Sequence, residues 1–376
     1  MRAKPGTFTF NPSMLRLQAM LGAGLLDSTP AHTVTLACIS SNVAISQAMG
    51  MIATGQADAV IAGGTETMSD VPIRFSRNMR KAMLKSTKVK SAGGYLALLG
   101  TLGLKDLAPE LPGVTEFSTN ESMGHSADRL ASRFGITRES QDAFALRSHS
   151  LAASAHEEGL LKDVIPIKIP GKDTFASHDN GVRIPTPEKL ASMKPAFVKP
   201  HGTVTAINAS FLTDGASAAL IMSEEKALAL GYQPIAYLRD TTFVSTDPKE
   251  QLLLGPAYAT PDVLGKANLS LADIDVFEFH EAFAGQVLAN LKALNDEAFC
   301  KDNLGLKGKV GDIPMDKLNL WGGSLSLGHP FGATGTRLMT TAAHRLKHED
   351  GQFALIAACA AGGQGAGMIV ERYPGY

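Results

Sequence analysis

The sequence has few cysteines and no close pair of them. Its three cysteines, Cys38, Cys300 and Cys359, are far apart, which argues against a disulfide framework and for a reducing compartment. It has no CxxC pair and no histidine pair at ligand spacing, so a metal site is not expected. No uninterrupted run of about 20 apolar residues occurs, so no transmembrane helix is predicted.

Neither positive nor negative charge is in large excess. The formal net charge is −1 at pH 7, which gives no electrostatic case for nucleic acid binding. Acidic residues are absent from the first 26 positions, which contain Arg2, Lys4 and Arg16. Transit peptides share this feature with ordinary N-terminal segments. A hydrophobic content of 44% and 37 glycines are typical of an α/β enzyme with two or three domains or one duplicated domain.

The same order of predicted elements occurs in both halves of the chain. The first half contains a buried strand over 33–37, a helix from about Ser40 to Met51, a strand from Ala57 to Ala62 that ends at Gly63-Gly64, and a strand Gly215–Met222. The second half contains a helix Thr334–Lys347, a strand Phe353–Ala358 that runs into Cys359, and a strand Gly365–Val370. Ser40, Ser41 and Asn42 are expected to cap the first helix. Residues 233–286 are expected to open the second half.

This repetition predicts two related α/β halves, with about 140 residues inserted into the first between roughly Thr65 and Thr205. Coincidence is the alternative, because strand–helix–strand units are common. Duplication would place Cys38 and His329 at equivalent helix N-termini, where one cleft could hold both side chains.

The insertion contains a basic stretch followed by an apolar one. Residues 71–105 hold eight cations and no acid, and the run 95–104 is rich in leucine. Cations that meet anionic headgroups and leucines that enter the acyl boundary are what an interfacial membrane segment needs. A solvated helix followed by a buried one explains the pattern equally well, and part of the charge could instead face the phosphates of a ligand.

Three side chains stand out as chemical candidates. A thiol at a helix N-terminus, as predicted for Cys38, is favoured as a thiolate, although a cysteine at a strand–helix junction is often only a small buried hydrophobe. His329, within Gly328-His329-Pro330, is suited to acid–base chemistry near neutral pH or to a structural turn. Cys359 precedes a glycine-rich turn at 362–365, and Cys300 is interpreted as non-functional.

Together the motifs resemble the thiolase family. The similarity covers about residues 11–376 and rests on Leu36-Ala37-Cys38, His280-Glu281-Ala282-Phe283, Gly322-Gly323 to His329-Pro330, and Cys359 to Gly365. Supporting stretches are 62–66, 123–127 and 202–210. His280 stands where most thiolases have asparagine, and Ala361 where most have glycine. These departures and the segment 71–105 resemble a mitochondrial, long-chain branch of the family.

The resemblance implies an acyltransferase that cleaves 3-ketoacyl-CoA with CoA during fatty acid β-oxidation. It assigns Cys38 as the nucleophile, His329 as its base, Cys359 as the second acid and base, and His280 as the holder of an oxyanion water. The backbone N–H groups of Cys38 and Ala361 would form a second oxyanion hole. Ser210, Phe283, Met123 and His125 are expected to contact substrate. No cofactor is expected, since CoA is a substrate.

The resemblance also implies an architecture and an assembly. The fold is expected to be duplicated α/β halves in an α-β-α-β-α layering. The halves are 1–64 plus 206–232 and 233–376, with a lid insertion over 65–205. The expected partners are a second copy of the chain, an α-subunit with hydratase and dehydrogenase activities, and an anionic membrane surface contacted through 71–105. The expected location is the mitochondrial matrix at the inner membrane.

Only 37 residues precede Cys38, so N-terminal strands of the family fold are expected to be missing, which would expose sheet edges. A catalytically impaired scaffold or membrane-docked subunit is therefore an alternative function. A Claisen-condensing synthase is another, although Cys359 argues against it, because that class typically uses Cys-His-His or Cys-His-Asn.

Overall fold

The structure is a computed structural model that describes residues 2–3, 19–71, 73–110, 113, 115–169 and 171–376. Its strands are β1 (Arg2–Ala3), β2 (Thr33–Val34), β3 (Ala59–Glu66), β4 (Ile167–Lys168), β5 (Phe175–Ala176), β6 (Gly215–Met222), β7 (Ala236–Ser245), β8 (Val276–Phe279), β9 (Phe353–Ala360) and β10 (Gln364–Arg372). Its α-helices are α1 (Ser40–Ala53), α2 (Arg77–Ser86), α3 (Ala92–Leu99), α4 (Met123–Arg133), α5 (Arg138–Glu157), α6 (Pro187–Ser192), α7 (Glu224–Ala229), α8 (Gly255–Ala267), α9 (Ala284–Leu294), α10 (Glu297–Leu304), α11 (Ser324–Leu327) and α12 (Phe331–His348). The chain divides into two compact units, Met68–Val114 and the remainder.

A four-stranded sheet organises the C-terminal half. Its order is β7-β10-β9-β8, in which β10 is antiparallel to both neighbours and β8 is parallel to β9. Strands β8, β9 and β10 are nearly continuous apolar runs, as expected for strands covered on both faces. Helix α8 packs against β7, β9 and β10, and α12 packs against β8, β9 and β10. The core of this half therefore lies on both sides of the sheet.

The first half is built on the antiparallel pair β3 and β6. Alternation along β3 turns Ala62, Gly64 and Glu66 toward one face, where Ala62 is fully buried. On the other face, Ile61 and its register partner Leu220 are 43% and 49% exposed. Only one face of this pair is thus covered by the described part of the chain.

Two helices fill the space between the sheets. Helices α1 and α12 pack against each other, both contact β3, and α12 also reaches the four-stranded sheet. The resulting order is α8, four-stranded sheet, α1 with α12, and β3–β6 pair. It accounts for four of the five predicted layers.

Three local predictions in the first half are corrected. The strand predicted over 33–37 is only Thr33–Val34, because residues 37–39 form a 3₁₀ turn. Helix α1 begins at Ser40 and no side chain caps it; the Ser40 hydroxyl instead accepts from the Leu36 N–H and donates to the Ala37 carbonyl. Gly63-Gly64 lies inside β3 rather than after it. The other predicted helices and strands are present with bounds shifted by a few residues.

The predicted insertion contains more structure than its composition indicates. The loop-like stretch 167–204 includes the short strands β4 and β5 and the helix α6. The domain boundaries at 64, 205 and 232 stay predictions. Residues 4–18, on which much of the expectation about N-terminal strands and a transit peptide falls, lie outside the described residues.

The unit Met68–Val114 exposes apolar side chains beside cations. Helix α3 contains no buried residue in the single chain, so a buried second helix would require a partner that covers it. Leu84, Leu96 and Leu104 are 73%, 70% and 88% exposed. Within the residues searched, no helix is both long and apolar enough to span a bilayer.

Candidate active site

Cys38 lies in the 3₁₀ turn Ala37–Ile39, directly before α1. Ala37 adopts the left-handed region with φ of 44°, a conformation that non-glycine residues hold only when the surrounding structure enforces it. The backbone N–H groups of Ala361 and of Cys38 itself both hydrogen-bond the Cys38 sulfur. The turn therefore aims the thiol at two backbone donors.

Cys359 lies near the end of β9 and is 1% exposed. Burial raises the pKa of the Cys359 thiol, and the nearby Cys38 sulfur raises it further. Burial also raises the pKa of Cys38 to about 12, against the lowering effect of its backbone hydrogen bonds. Both thiols are consequently neutral at physiological pH, so nucleophilic attack by either needs a base.

His329 is held in the turn before α12. Gly328, with φ of 89°, starts this turn, and Pro330 precedes the first helical residue. The His329 backbone N–H donates to the Phe211 carbonyl at 3.1 Å, and its Nδ1 lies 2.8 Å from the Thr334 hydroxyl. Burial lowers the pKa of His329 well below its usual value. The imidazole is therefore neutral and able to accept a proton.

His280 follows β8 and is fully buried. Its backbone N–H donates to the Ala357 carbonyl at 2.8 Å, which fixes it beside β9 just before Cys359. Its ring centroid lies 4.1 Å from that of His329. Burial, helped by the Arg337 cation, lowers the pKa of His280 to about 3. The site thus contains two neutral imidazoles in contact, with their ring planes tilted by 41°.

Glu66 connects the two halves of the site, a link that sequence reasoning missed. Its Oε2 accepts from the Gly332 N–H in the first turn of α12 at 3.2 Å, and its charge raises the pKa of Cys38. The turn Ala37–Ile39 packs against both β9 and α12. Glu66 was visible as the last residue of the matching stretch 62–66, but nothing local indicated its role.

Glu281, within the motif His280-Glu281-Ala282-Phe283, is a second carboxylate for which the sequence predicts no role. It is fully buried and accepts hydrogen bonds from the Asn319 side chain at 2.8 Å, the Ser148 hydroxyl at 2.7 Å and the Leu325 N–H at 3.3 Å. These partners come from α5, α11 and the loop before it. Glu281 therefore fixes the backbone that carries His280.

The expected substrate residues lie on segments that contact one another. The Ser210 N–H donates to the Ala282 carbonyl at 2.9 Å, which ties Ser210 to the strand end that carries His280 and Phe283. Phe197 links Phe283, at 6.2 Å between ring centroids, to the N-terminus of α4, where Met123 packs against the core. His125 is exposed on the same helix.

The arrangement can form and break an acyl–sulfur bond. It combines a thiol with two backbone donors, a second thiol beside it, and two histidines whose Nε2 atoms are buried without a hydrogen-bond partner in the described part of the chain. Among the described residues, no group of three or more His, Cys, Asp or Glu could hold a metal ion. A groove of about 920 Å³ beside Phe134 and Phe299 includes none of these groups.

Family models support the same chemistry. The model for the N-terminal domain of thiolase matches residues 9–225, and the model for its C-terminal domain matches residues 232–372. The mitochondrial trifunctional enzyme subunit beta of Mus musculus is 64% identical over 357 residues, which cover 95% of this chain and 75% of that protein. The probable 3-ketoacyl-CoA thiolase of Caenorhabditis elegans is 62% identical over 362 residues, covering 96% of this chain and 81% of that protein.

Solved structures agree with these matches. The human mitochondrial 3-ketoacyl-CoA thiolase superposes with a TM-score of 0.79 at 29% identity, covering 99% of this chain and 86% of that one. The acetyl-CoA acetyltransferase of Bacillus anthracis gives 0.80 at 33% identity with the same coverage. The predicted resemblance and the predicted α/β thiolase fold are confirmed, and the chain belongs to the thiolase family.

Proposed function

We propose that this chain is a 3-ketoacyl-CoA thiolase of fatty acid β-oxidation, which uses CoA to cleave 3-ketoacyl-CoA into acetyl-CoA and a shortened acyl-CoA. The observation that carries the proposal is the pair of neighbouring thiols, Cys38 with its two backbone donors and Cys359 on β9, the strand to which the His280–His329 pair is tied through the Ala357 carbonyl. A thiolase needs a nucleophile, a base for it, a second proton carrier and oxyanion donors, and these groups supply each of them.

In the first half-reaction, the Cys38 sulfur bonds to C3 of the substrate while His329 Nε2 takes the thiol proton. The C3 oxygen becomes negative and is held by the N–H groups of Cys38 and Ala361. The C2–C3 bond then breaks, its electron pair moves to C2, and Cys359 protonates C2 to release acetyl-CoA. A water held by His280 stabilises the thioester oxygen of the leaving enolate.

In the second half-reaction, the Cys359 thiolate takes the proton of an incoming CoA thiol. The CoA sulfur attacks the acyl carbon, the bond to Cys38 breaks, and His329 returns its proton to Cys38. Among the described residues, positive φ outside glycine occurs at Ala37, Asn120, Asn268, Asn319 and Asp350. Ala361 therefore donates its N–H without the strain that an alanine with positive φ would carry. CoA acts as a substrate, and the mechanism needs no further cofactor.

The direct test is acetyl-CoA formation by the purified chain. With 3-ketoacyl-CoA and CoA, we expect acetyl-CoA and shortened acyl-CoA in equal amounts, and with a series of chain lengths we expect long chains to be preferred. Product formation in the chain as it stands would exclude the alternative of an inactive scaffold. Absence of acetyl-CoA with every chain length would refute the proposal.

The proposal extends to assembly and location. The Mus musculus and Homo sapiens relatives are named as the beta subunit of a mitochondrial trifunctional enzyme, so we propose that this chain is mitochondrial and forms a complex with an α-subunit that carries hydratase and dehydrogenase activities. A second copy of the chain is the expected homodimer partner. Size-exclusion chromatography with light scattering, with and without the α-subunit, measures both associations.

Binding to anionic membranes through 71–105 is the last part of the proposal. The exposed lysines Lys81, Lys85 and Lys88 lie near the exposed Leu84. Arg80 forms an ion pair with Glu110 at 2.6 Å and is therefore left unchanged. We expect replacement of the three lysines by glutamine to weaken binding to cardiolipin-containing vesicles on the order of a hundredfold, at about 1 kcal/mol per lysine.

The matched control replaces the exposed lysines Lys162, Lys172 and Lys189 by glutamine. It should bind the vesicles like the unchanged chain. Flotation with cardiolipin-containing and pure phosphatidylcholine vesicles measures the difference. Equal binding by both triple variants would contradict a membrane role for 71–105.

A further inference from the structure

The two imidazoles at the centre of the site have matching surroundings. His280 and His329 are 0% and 4% exposed, and each Nδ1 is bonded to a buried hydroxyl. Each Nε2 is buried without a hydrogen-bond partner in the described part of the chain. A neutral imidazole carries one proton on one of its two nitrogens. The hydroxyl on the Nδ1 side therefore decides what the Nε2 side offers to substrate.

The Ser324 hydroxyl has one hydrogen to give to His280. Arg337 Nη2 lies 3.0 Å from Ser324 Oγ, and a guanidinium can only donate, so this bond occupies an oxygen lone pair. His280 Nδ1 lies 3.1 Å from the same oxygen. These are the hydrogen bonds that Ser324 Oγ makes in the described structure, so its hydrogen points at Nδ1. Nδ1 then accepts, and the proton of His280 is on Nε2.

The Thr334 hydroxyl acts as an acceptor toward its histidine, whereas the Ser324 hydroxyl acts as a donor. Its Oγ1 lies 3.3 Å from the Pro330 carbonyl, to which it donates its hydrogen as an α-helical threonine commonly does. His329 Nδ1 lies 2.8 Å from Oγ1 and must therefore be the donor of that bond. The proton of His329 is on Nδ1, and its Nε2 presents a lone pair.

We propose that Ser324, oriented by Arg337, and Thr334 hold the two neighbouring histidines in opposite tautomers, so that His280 presents a donor and His329 an acceptor to the substrate. Ser324 and Arg337 are thereby positioning residues that act through His280. The inference rests on the proposed function, because it explains how one imidazole accepts the Cys38 proton while the other donates to an oxyanion or its water. The lowered pKa values of both histidines agree, since neither ring is protonated twice.

A buried carboxylate attracts Arg337. Its Nη1 lies 4.0 Å from Oε2 of the fully buried Glu278, whose Oε1 accepts from Arg345 Nη1 at 2.7 Å. This attraction favours the position of the guanidinium beside Ser324. Because Arg337 variants would also disturb this buried cluster, Ser324 is the better residue to test.

The kinetic test is a double-mutant cycle between Ser324 and His280. An asparagine side chain always carries an N–H donor and needs no tautomer, so Ser324 should matter only when residue 280 is histidine. We expect Ser324→Ala to lower kcat roughly tenfold to a hundredfold in the unchanged chain and less than about twofold in His280→Asn. Ser326→Ala, on the same short helix, should change kcat by the same factor in the unchanged chain and in His280→Asn. Equal losses for Ser324→Ala in both backgrounds would show a merely structural role and overturn the proposal.

The spectroscopic test needs no turnover. In the chain labelled with ¹⁵N in the histidine rings, the signals that vanish in His280→Asn belong to His280. We expect them to show a protonated Nε2 and an unprotonated Nδ1, and the signals of His329 to show the reverse. A protonated Nδ1 in His280 would overturn the proposal even if Ser324→Ala failed to fold. These tautomers in a chain that forms no acetyl-CoA would refute the proposed function and leave the tautomer assignment standing.

Discussion

Replacement of Cys38 by alanine is expected to lower the rate of acetyl-CoA formation by about three orders of magnitude or more, equivalent to about 4 kcal/mol or more in activation free energy. The reason is that Cys38 is the sulfur toward which the N–H groups of Cys38 and Ala361 point. A neutral methyl group in its place removes the bond that holds the acyl chain between the two half-reactions. Steady-state kinetics with 3-ketoacyl-CoA and CoA measure the loss.

The acyl intermediate can be observed directly. Without CoA, the unchanged chain should release acetyl-CoA once and retain the shortened acyl group on the peptide that contains Cys38, as detected by mass spectrometry. Cys300→Ala is the matched control, because Cys300 is fully buried in α10 and its thiol donates to the Ala293 carbonyl. An acyl group on Cys300 or Cys359, or rapid turnover by Cys38→Ala, would contradict the assigned nucleophile.

Replacement of Gly64 by alanine is expected to destabilise the fold by roughly 3 kcal/mol and to lower activity as well. A Cβ atom at Gly64 would lie 1.5 Å from the Gly332 carbonyl oxygen, so backbone must move. Gly332 is in the first turn of α12, just after His329. The strand and the helix therefore cannot both keep their positions, and the imidazole moves with the helix.

Gly50→Ala is the matched control for Gly64→Ala. Gly50 lies in α1 with no atom within 4 Å of an added Cβ, so alanine should stabilise the chain by about 0.5–1 kcal/mol. Urea unfolding followed by circular dichroism gives both free energies of unfolding. If Gly64→Ala unfolds at the same urea concentration as Gly50→Ala, the close packing of β3 on α12 is wrong.

Patterns within one segment predicted much of the fold. The apolar run 353–358 predicted β9, and the similarity of Gly215–Met222 to the last strand predicted β6, because a strand shows its character in its own residues. The prediction that the strand ends at Gly63-Gly64 is wrong, and the reason lies in another part of the chain. Glycine was interpreted as the end of the strand, whereas β3 continues and needs a bare backbone where Gly332 approaches.

The candidate site was also predictable only where the signal lay within one segment. Cys38, His329 and Cys359 stood out because each follows or precedes a strand or helix end in a motif of small residues. Their supporting groups did not, since Ser324, Thr334 and Glu66 acquire meaning only from partners that folding brings beside them. Ser41 was expected to cap α1, but its hydroxyl accepts from the Thr336 N–H of α12 at 3.0 Å.

The position of β10 has a consequence for synthesis on the ribosome. This strand is the last of the four-stranded sheet in sequence, yet it lies inside the sheet between β7 and β9. β7 cannot be joined to the others until the chain through Arg372 has emerged, so the sheet beside Cys359 and His280 is completed only after β10 has left the ribosome. Until then the nascent chain exposes the edges of β7 and β9, and we expect chaperones to shield these edges from aggregation.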